Sequence, residues 1–286
     1  MLGQRIVTAV VLLALLVPAM WAPQSWPFAA LTLAFVAAAG WEWARLNGAG
    51  AAVAVTFAVL LLIACLGTGP VALQEQVPRG FWLVLTAAWI VGGGWALRRG
   101  VEGWRQAADW VKWAVGMMAL WAAWAALVTA RAQGLGFLLS VLCLVWVADI
   151  AAYFGGRTFG RRKLAPSISP GKSWEGVWSG MAGVLLLSWG WVRLVEGGAS
   201  SGVEVAAGFG PSVFSLLFER YGLGWGGALL ILLSGMSVVG DLFESLVKRA
   251  AGAKDSSRLL PGHGGVLDRI DALLPVFPLA LALTSS

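Results

Sequence analysis

Long uninterrupted apolar runs decide what this chain can become. Stretches of about 18 or more apolar residues recur along it, and roughly 20 residues of helix cross the hydrocarbon core of a bilayer. The runs are continuous and rich in Leu, Ala, Val and Trp, unlike the roughly 10-residue alternating segments of outer-membrane barrels. Only 12% of the 286 residues are charged, against about 25% in an average soluble domain. The fold class is therefore all-α, a polytopic integral membrane protein solvated by the lipid bilayer.

The pattern predicts nine transmembrane helices, at about 6–22, 27–45, 51–68, 81–97, 110–129, 134–154, 175–195, 223–247 and 265–283,. Cytoplasmic loops carry an excess of Lys and Arg. With the N-terminus cytoplasmic, sixteen of the twenty Lys and Arg collect on one face, and only Arg79, Arg131, Arg193 and Arg220 fall on the other. An even number of spans would break that split. The basic loops at 156–174 and 248–264 are thereby assigned to the cytoplasm. The connection at 196–222 reads as an extramembrane loop with a short helix at Phe214–Arg220. Residues 1–286 form one integral-membrane domain, with 1–130 mainly scaffold helices and 131–286 carrying the catalytic helices and loops.

Several function classes drop out. The net charge of +6 sits at membrane edges, as topology requires, and no nucleic-acid module is visible. Arg5 followed by an apolar run resembles a signal peptide, but the segment after Pro18 lacks a small-x-small cleavage site and reads as a retained span. Cys65 and Cys143 lie in apolar runs without disulfide or metal-ligand spacing. Of the eighteen tryptophans, Trp21, Trp26, Trp41, Trp43, Trp82, Trp104, Trp110, Trp174 and Trp225 fall near span ends, where indole suits the interfacial belt. Gly176 and Gly180 make a GxxxG, which lets helices approach closely, although a chain with 38 glycines offers such matches by chance.

The chemistry concentrates in three clusters. Asp149 lies within an apolar span, where a carboxylate is expensive and marks a functional site by default. It is followed by a loop of glycine, proline and base holding Arg157, Arg161, Arg162, Lys163, Ser169 and Lys172, a composition suited to a polyphosphate. Gly171-Lys172-Ser173 is not a Walker A motif, because Pro166 occupies the first glycine position and no strand precedes it. In the second cluster Asp241, Ser245 and Lys248 are spaced to share one helical face, with Glu244 placed to join Asp241 or pair with Lys248. In the third, Asp268 and Asp271 share a face at the start of the ninth span, preceded by His263 and by Gly264-Gly265, whose N–H groups suit an anion. Carboxylates without multiple histidines or cysteines favour a hard cation such as Mg²⁺ over zinc.

These residues together point to phosphoryl or nucleotidyl transfer at a lipid head group. From Ser245 to Asp271 the sequence reads S-L-V-K-R, four residues, K-D, and then L-P-G-H-G-G-V-L-D-R-I-D. That run resembles the signature of the phosphatidate cytidylyltransferases (CDP-diacylglycerol synthases), and the Asp149–Gly176 segment resembles a second region of the same family. Ala272 departs from the serine expected after the last aspartate.

The resemblance implies transfer of CMP from CTP to phosphatidate with Mg²⁺, giving CDP-diacylglycerol and pyrophosphate. It implies that Asp241 and Asp268, supported by Asp271 and with Asp149 a further candidate, hold the cation or a cation pair. Lys163, Lys172, Lys248, Arg249, Lys254 and Arg269 become candidate phosphate contacts, led by Lys172 and Lys248. Ser169, Ser245 and His263 would hydrogen-bond the substrates. The ionised lipid phosphate is itself the nucleophile, so no strong general base is required. The expected location is the bacterial inner membrane with the site facing the cytoplasm; a homodimer is left open. A transporter would show repeat symmetry between its halves, and none is visible; a dolichol-kinase-like enzyme is the nearest rival, separated by which product leaves CTP.

Overall fold

A computed structural model describes residues 2–73, 77–196 and 209–285. It is almost wholly helical. In chain order the elements are α1 (Leu2–Trp21), α2 (Trp26–Leu46), α3 (Ala51–Leu73), α4 (Arg79–Ala88), α5 (Gly94–Gln106), α6 (Asp109–Gln133) and α7 (Leu135–Phe159). A hairpin of β1 (Lys163–Ala165) and β2 (Ser169–Ser173) follows, and then α8 (Trp174–Gly190), α9 (Val213–Ala250), α10 (Leu267–Ile270) and α11 (Leu273–Thr284).

Seven helical stretches among the described residues are long and apolar enough to cross a membrane. They are α1, α2, α3, the α4–α5 stretch, α6, α7 and α9. The expected seventh and ninth spans fall short of that length as α-helix. α8 has 17 residues before a π-helical turn at Trp191–Glu196, and α11 has only 12. The ninth span does not begin at residue 265: α10 is a single turn, Asp271 caps its C-terminal end, and α11 starts at Leu273. The expected fourth span, 81–97, stops close to the break at Gly100, whose φ of 67° is not helical; α4 passes through a π-helical turn at Trp89–Gly93 into α5, and the residues after Gly100 form a separate helical piece to Gln106. The short helix expected at Phe214–Arg220 is present as the start of α9, set off by a kink at Gly222 with φ 72°. Residues 197–208 of the preceding connection lie outside the described residues.

α6 is central, with Ala119–Ala130 buried almost without interruption, and α2, α3 and α11 pack on it. Beyond the kink at Gly222 α9 runs on to Ala250 for about 42 Å, which carries its last turns past a hydrocarbon layer of about 30 Å. Those turns are fixed by aromatic packing: Phe243 stacks on Trp43 at 6.0 Å and meets Trp89 and Trp104 edge-on at 5.4 and 5.3 Å. Trp43, Trp82 and Trp104 are therefore interior residues and not part of an interfacial belt. Trp43 and Trp104 gain hydrogen-bond acceptors there, the Lys112 carbonyl at 2.9 Å and Asn47 Oδ1 at 3.0 Å. At the C-terminal end of α9, Arg105 donates to the Ala250 carbonyl at 3.0 Å, one of the acceptors a helix leaves open at its C-terminus.

The GxxxG of α8 is used within the chain. A Cβ on Gly176 would lie 2.8 Å from the Ala152 carbonyl oxygen, and one on Gly180 2.8 Å from that of Ala148. Bare glycines thus let α8 lie against the backbone of α7,.

Candidate active site

The first cluster leaves the membrane helix as a hairpin and not as an open loop. β1 and β2 pair antiparallel, Lys163 opposite Ser173 and Ala165 opposite Ser169. Its base is clamped to α8: the Ser173 hydroxyl accepts from the Gly176 N–H at 3.2 Å as an N-cap, and Glu175 accepts from the N–H groups of Arg161 and Arg162, each at 3.1 Å. Its tip is held from the other side, where Arg249 donates to the Ile168 carbonyl at 3.3 Å and to the Ala253 carbonyl at 2.9 Å. Arg249, expected as a phosphate contact, is used here as a strut between the hairpin and the end of α9.

So fixed, the hairpin carries Lys172 across to α9, where its ammonium pairs with the Asp241 carboxylate. Both side chains remain about a quarter exposed, at 25% and 29%, because they line an open cavity of about 570 Å³. Asp149, Tyr153, Arg157 and Ser169 share that cavity. The Ser245 hydroxyl donates to Asp241 Oδ1 at 3.3 Å, so the expected helical face of Asp241 and Ser245 is real and turned toward the hairpin.

Asp271 comes close to the same place, its backbone seated on Gly240 beside Asp241. A Cβ on Gly240 would lie 2.4 Å from the Asp271 carbonyl oxygen and 2.9 Å from Pro275 Cδ; glycine is what allows α9 to seat against residues 271–275. Asp271 is half-buried, its Oδ1 accepts from the Ala272 N–H at 2.8 Å, and both Asp149 and Asp271 feel the charge of Asp241. Gly240→Ala should therefore spread Asp241 from Asp271 and lower turnover; purified variant and parent compared at saturating substrate test it.

Asp268 sits in a different setting. Its Oδ2 accepts from the Ser256 N–H at 2.9 Å, the Ser256 hydroxyl at 2.8 Å and the Gly265 N–H at 2.8 Å. Its Oδ1 takes the Lys248 ammonium at 2.5 Å, and Lys248 also meets Glu244 Oε2 at 2.5 Å. Asp268 precedes the membrane helix α11. Lys248 and the Gly265 and Ser256 N–H groups thus surround it with donors. Lys248 is enclosed between two carboxylates, at 12% side-chain exposure. Asp268 and Lys248 thus lock the 255–268 loop to α9, where open contacts to cation and phosphate were expected.

The remaining candidates are spread out. Arg269 is exposed and donates to the His263 carbonyl, Nε at 3.2 Å, closing the turn. The His263 ring has a buried Nδ1 without a hydrogen-bond partner. Lys163 and Lys254 are exposed. One polar residue absent from the sequence reading stands at the heart of the loop: Glu42 of α2, fully buried, accepts from the Val266 and Leu267 N–H groups at 2.9 and 2.7 Å and from the hydroxyls of Ser256 and Ser257 at 3.1 and 2.5 Å.

The family model described as "Cytidylyltransferase family" matches residues 3–286. The chain belongs to the cytidylyltransferase family. Among curated relatives, the phosphatidate cytidylyltransferase of Pseudomonas aeruginosa is 39% identical over 300 residues, covering 99% of this chain and 97% of the relative. That of Haemophilus influenzae is 45% identical over 150 residues, 51% of this chain and 44% of the relative. That of Staphylococcus saprophyticus is 38% identical over 149 residues, 52% and 49% of the two. In a cytidylyltransferase the polar cavity at Lys172 and Asp241 is the feature whose size and charge suit a nucleotide. The smaller apolar groove, of about 350 Å³, bordered by Trp89, Trp95, Trp110, Met118 and Phe243, has no charged side chain to orient one.

Among the described residues no three His, Cys, Asp or Glu side chains converge into a ready-made metal cage. Mg²⁺ does not demand one, because it binds through one or two carboxylates and takes further oxygens from substrate phosphate and water. Asp241 and Asp271 fit that requirement. Both are partly exposed carboxylates, and they stand close enough for the charge of Asp241 to be felt at Asp271.

Proposed function

We propose that this cytidylyltransferase transfers CMP from CTP to phosphatidate, forming CDP-diacylglycerol and releasing pyrophosphate. The observation that carries the reading is the meeting of Lys172 on the hairpin with Asp241 on α9, in one cavity with Asp149, because it joins the two charged sequence clusters into a single site. The near full-length similarity to a phosphatidate cytidylyltransferase names the substrates.

In the reaction a phosphatidate phosphate oxygen attacks the α-phosphorus of CTP. One P–O bond forms there, and the bond to the bridging oxygen of the β-phosphate breaks in line, with that oxygen leaving on pyrophosphate. The nucleophile arrives ionised, so the protein's part is positioning and charge neutralisation. Lys172, already at the cavity wall, exchanges Asp241 for the triphosphate. Arg157 and Ser169 border the same space and steady the phosphates. Asp241 and Asp271, with Asp149 nearby, would hold Mg²⁺, which would neutralise charge on the transferring phosphates; a second cation would use the same carboxylates. Asp268 and Lys248 keep the loop before α11 in register with them.

Nine crossings, with α8 and the α10–α11 segment as the seventh and ninth, and a cytoplasmic N-terminus put the cavity on the basic face. CTP then enters from the cytosol and phosphatidate from the bilayer of the bacterial inner membrane. The sixteen-to-four division of Lys and Arg supports that orientation,. Lys172→Ala should raise KM for CTP by about 10- to 100-fold, the loss of one charge-assisted phosphate contact of about 1.5–3 kcal/mol, with a smaller effect on KM for phosphatidate. Initial rates against each substrate measure it, and an unchanged KM for CTP removes Lys172 from the nucleotide site.

A further inference from the structure

Glu42 lies near the end of α2, between Trp41 and Trp43, and is 0% exposed. A carboxylate taken wholly out of water needs several donors to hold it. Here they all come from one distant segment. The Val266 and Leu267 N–H groups, at 2.9 and 2.7 Å, belong to the start of α10, where N–H groups lack intrahelical partners,. The Ser257 hydroxyl donates at 2.5 Å, and the Ser256 hydroxyl lies 3.1 Å from Glu42 and 2.8 Å from Asp268. Ser256 therefore links Glu42 directly to the carboxylate that grips Lys248.

The backbone is shaped to this contact. A Cβ on Gly265 would stand 2.0 Å from the Ser256 hydroxyl and 2.4 Å from Glu42 Oε1, so only glycine leaves room for the Glu42 carboxylate beneath the loop. α1 adds a second tie, the Thr8 hydroxyl donating to the Pro261 carbonyl at 2.9 Å. The loop carrying the charged signature is thus fastened to the scaffold half of the molecule.

We propose that Glu42 is a positioning residue for the transfer reaction: it anchors residues 256–267 to α2 and so sets where Asp268 and Asp271 stand relative to Lys248 and Asp241. It touches neither substrate, and acts through the loop. The proposal rests on the cytidylyltransferase reading above, and its test separates the two.

Full-length Glu42→Ala, Glu42→Gln and Ser257→Ala are purified in detergent beside the parent. CMP transfer from CTP to phosphatidate is measured, together with tryptic cleavage after Lys254 and Arg258, both on the exposed part of the loop. Glu42→Ala should lower kcat by about 10- to 100-fold, the usual size of an outer-layer positioning effect, with little change in KM for CTP, and should speed cleavage at those two sites while the membrane helices stay uncut. Glu42→Gln keeps the shape but turns an amide donor toward backbone donors, and should fall between. Should Glu42→Ala fail to fold, Ser257→Ala decides, because it removes one contact from the half-exposed loop side and should show the same paired changes in smaller degree. Parental kcat in the folded variants overturns the proposal, as does a lowered kcat with unaltered cleavage. If the parent protein itself makes no CDP-diacylglycerol, the functional reading falls, and the cleavage comparison alone decides whether Glu42 holds the loop.

Discussion

Asp241→Asn should lower CMP transfer by about a thousandfold or more, the upper range for losing one preorganised electrostatic group at a reacting phosphate. The change keeps the side-chain volume. It removes the charge that Lys172 pairs with and that a cation shared with Asp271 would require, and it turns the amide of the new residue toward either the ammonium or the Ser245 hydroxyl. Asp241 is about a quarter exposed, so its loss leaves little buried polarity stranded. The purified variant should therefore elute and melt like the parent while turnover disappears. Single-turnover transfer with radiolabelled CTP reads the effect, and turnover within tenfold of the parent would remove Asp241 from the reacting centre.

Asp268→Asn should damage both activity and the fold of the loop. The carboxylate accepts from Lys248, from the Ser256 N–H and hydroxyl, and from the Gly265 N–H. An amide has one acceptor oxygen, so in either orientation its NH₂ faces a buried donor. Each buried donor left unmet costs about 1–3 kcal/mol, and truncating one partner of a buried ion pair about 3–5 kcal/mol. Lys248 would be left with Glu244 alone. The apparent Tm in detergent should fall with the rate, which separates this variant from Asp241→Asn. A fully active Asp268→Asn enzyme, or an inactive one with parental Tm and parental loop cleavage, would contradict the part given to Asp268 here.

The contrast between these two aspartates marks where sequence reading succeeds. The membrane class was legible because lipid leaves a helix no other way to satisfy its backbone, and Gly240-Asp241 and Ser245 were legible because a helix fixes which residues share a face. The need for the Asp149–Lys172 segment was also visible in its charge. The hairpin was not, since Pro166, Pro170 and Gly171 read as irregular loop, and its pairing is held by contacts made outside it, from Glu175 and Arg249. Spacing alone placed Asp268 and Asp271 on one helix; Gly264-Gly265 before it and Pro275 after it instead leave a single turn and a cap.

Glu42 was hidden for a different reason. Between two tryptophans in an apolar run it reads as the polar edge of a span, and its partners lie 214 to 225 residues away. No local pattern reports a contact of that length. The sign that was available is energetic: an acidic residue among aromatics, two residues inside the last cation of its helix, must find donors somewhere. The charged loop offers such donors at Ser256, Ser257 and the N–H groups after Gly264-Gly265.

The central claim is tested most directly by incubating the purified protein with CTP labelled at the α-phosphate and phosphatidate in mixed micelles, and following both products. The account predicts label in CDP-diacylglycerol with one pyrophosphate released for each lipid formed, and neither product when phosphatidate is omitted. Label appearing as free CDP, or remaining in CTP while phosphatidate stays unchanged, would contradict it.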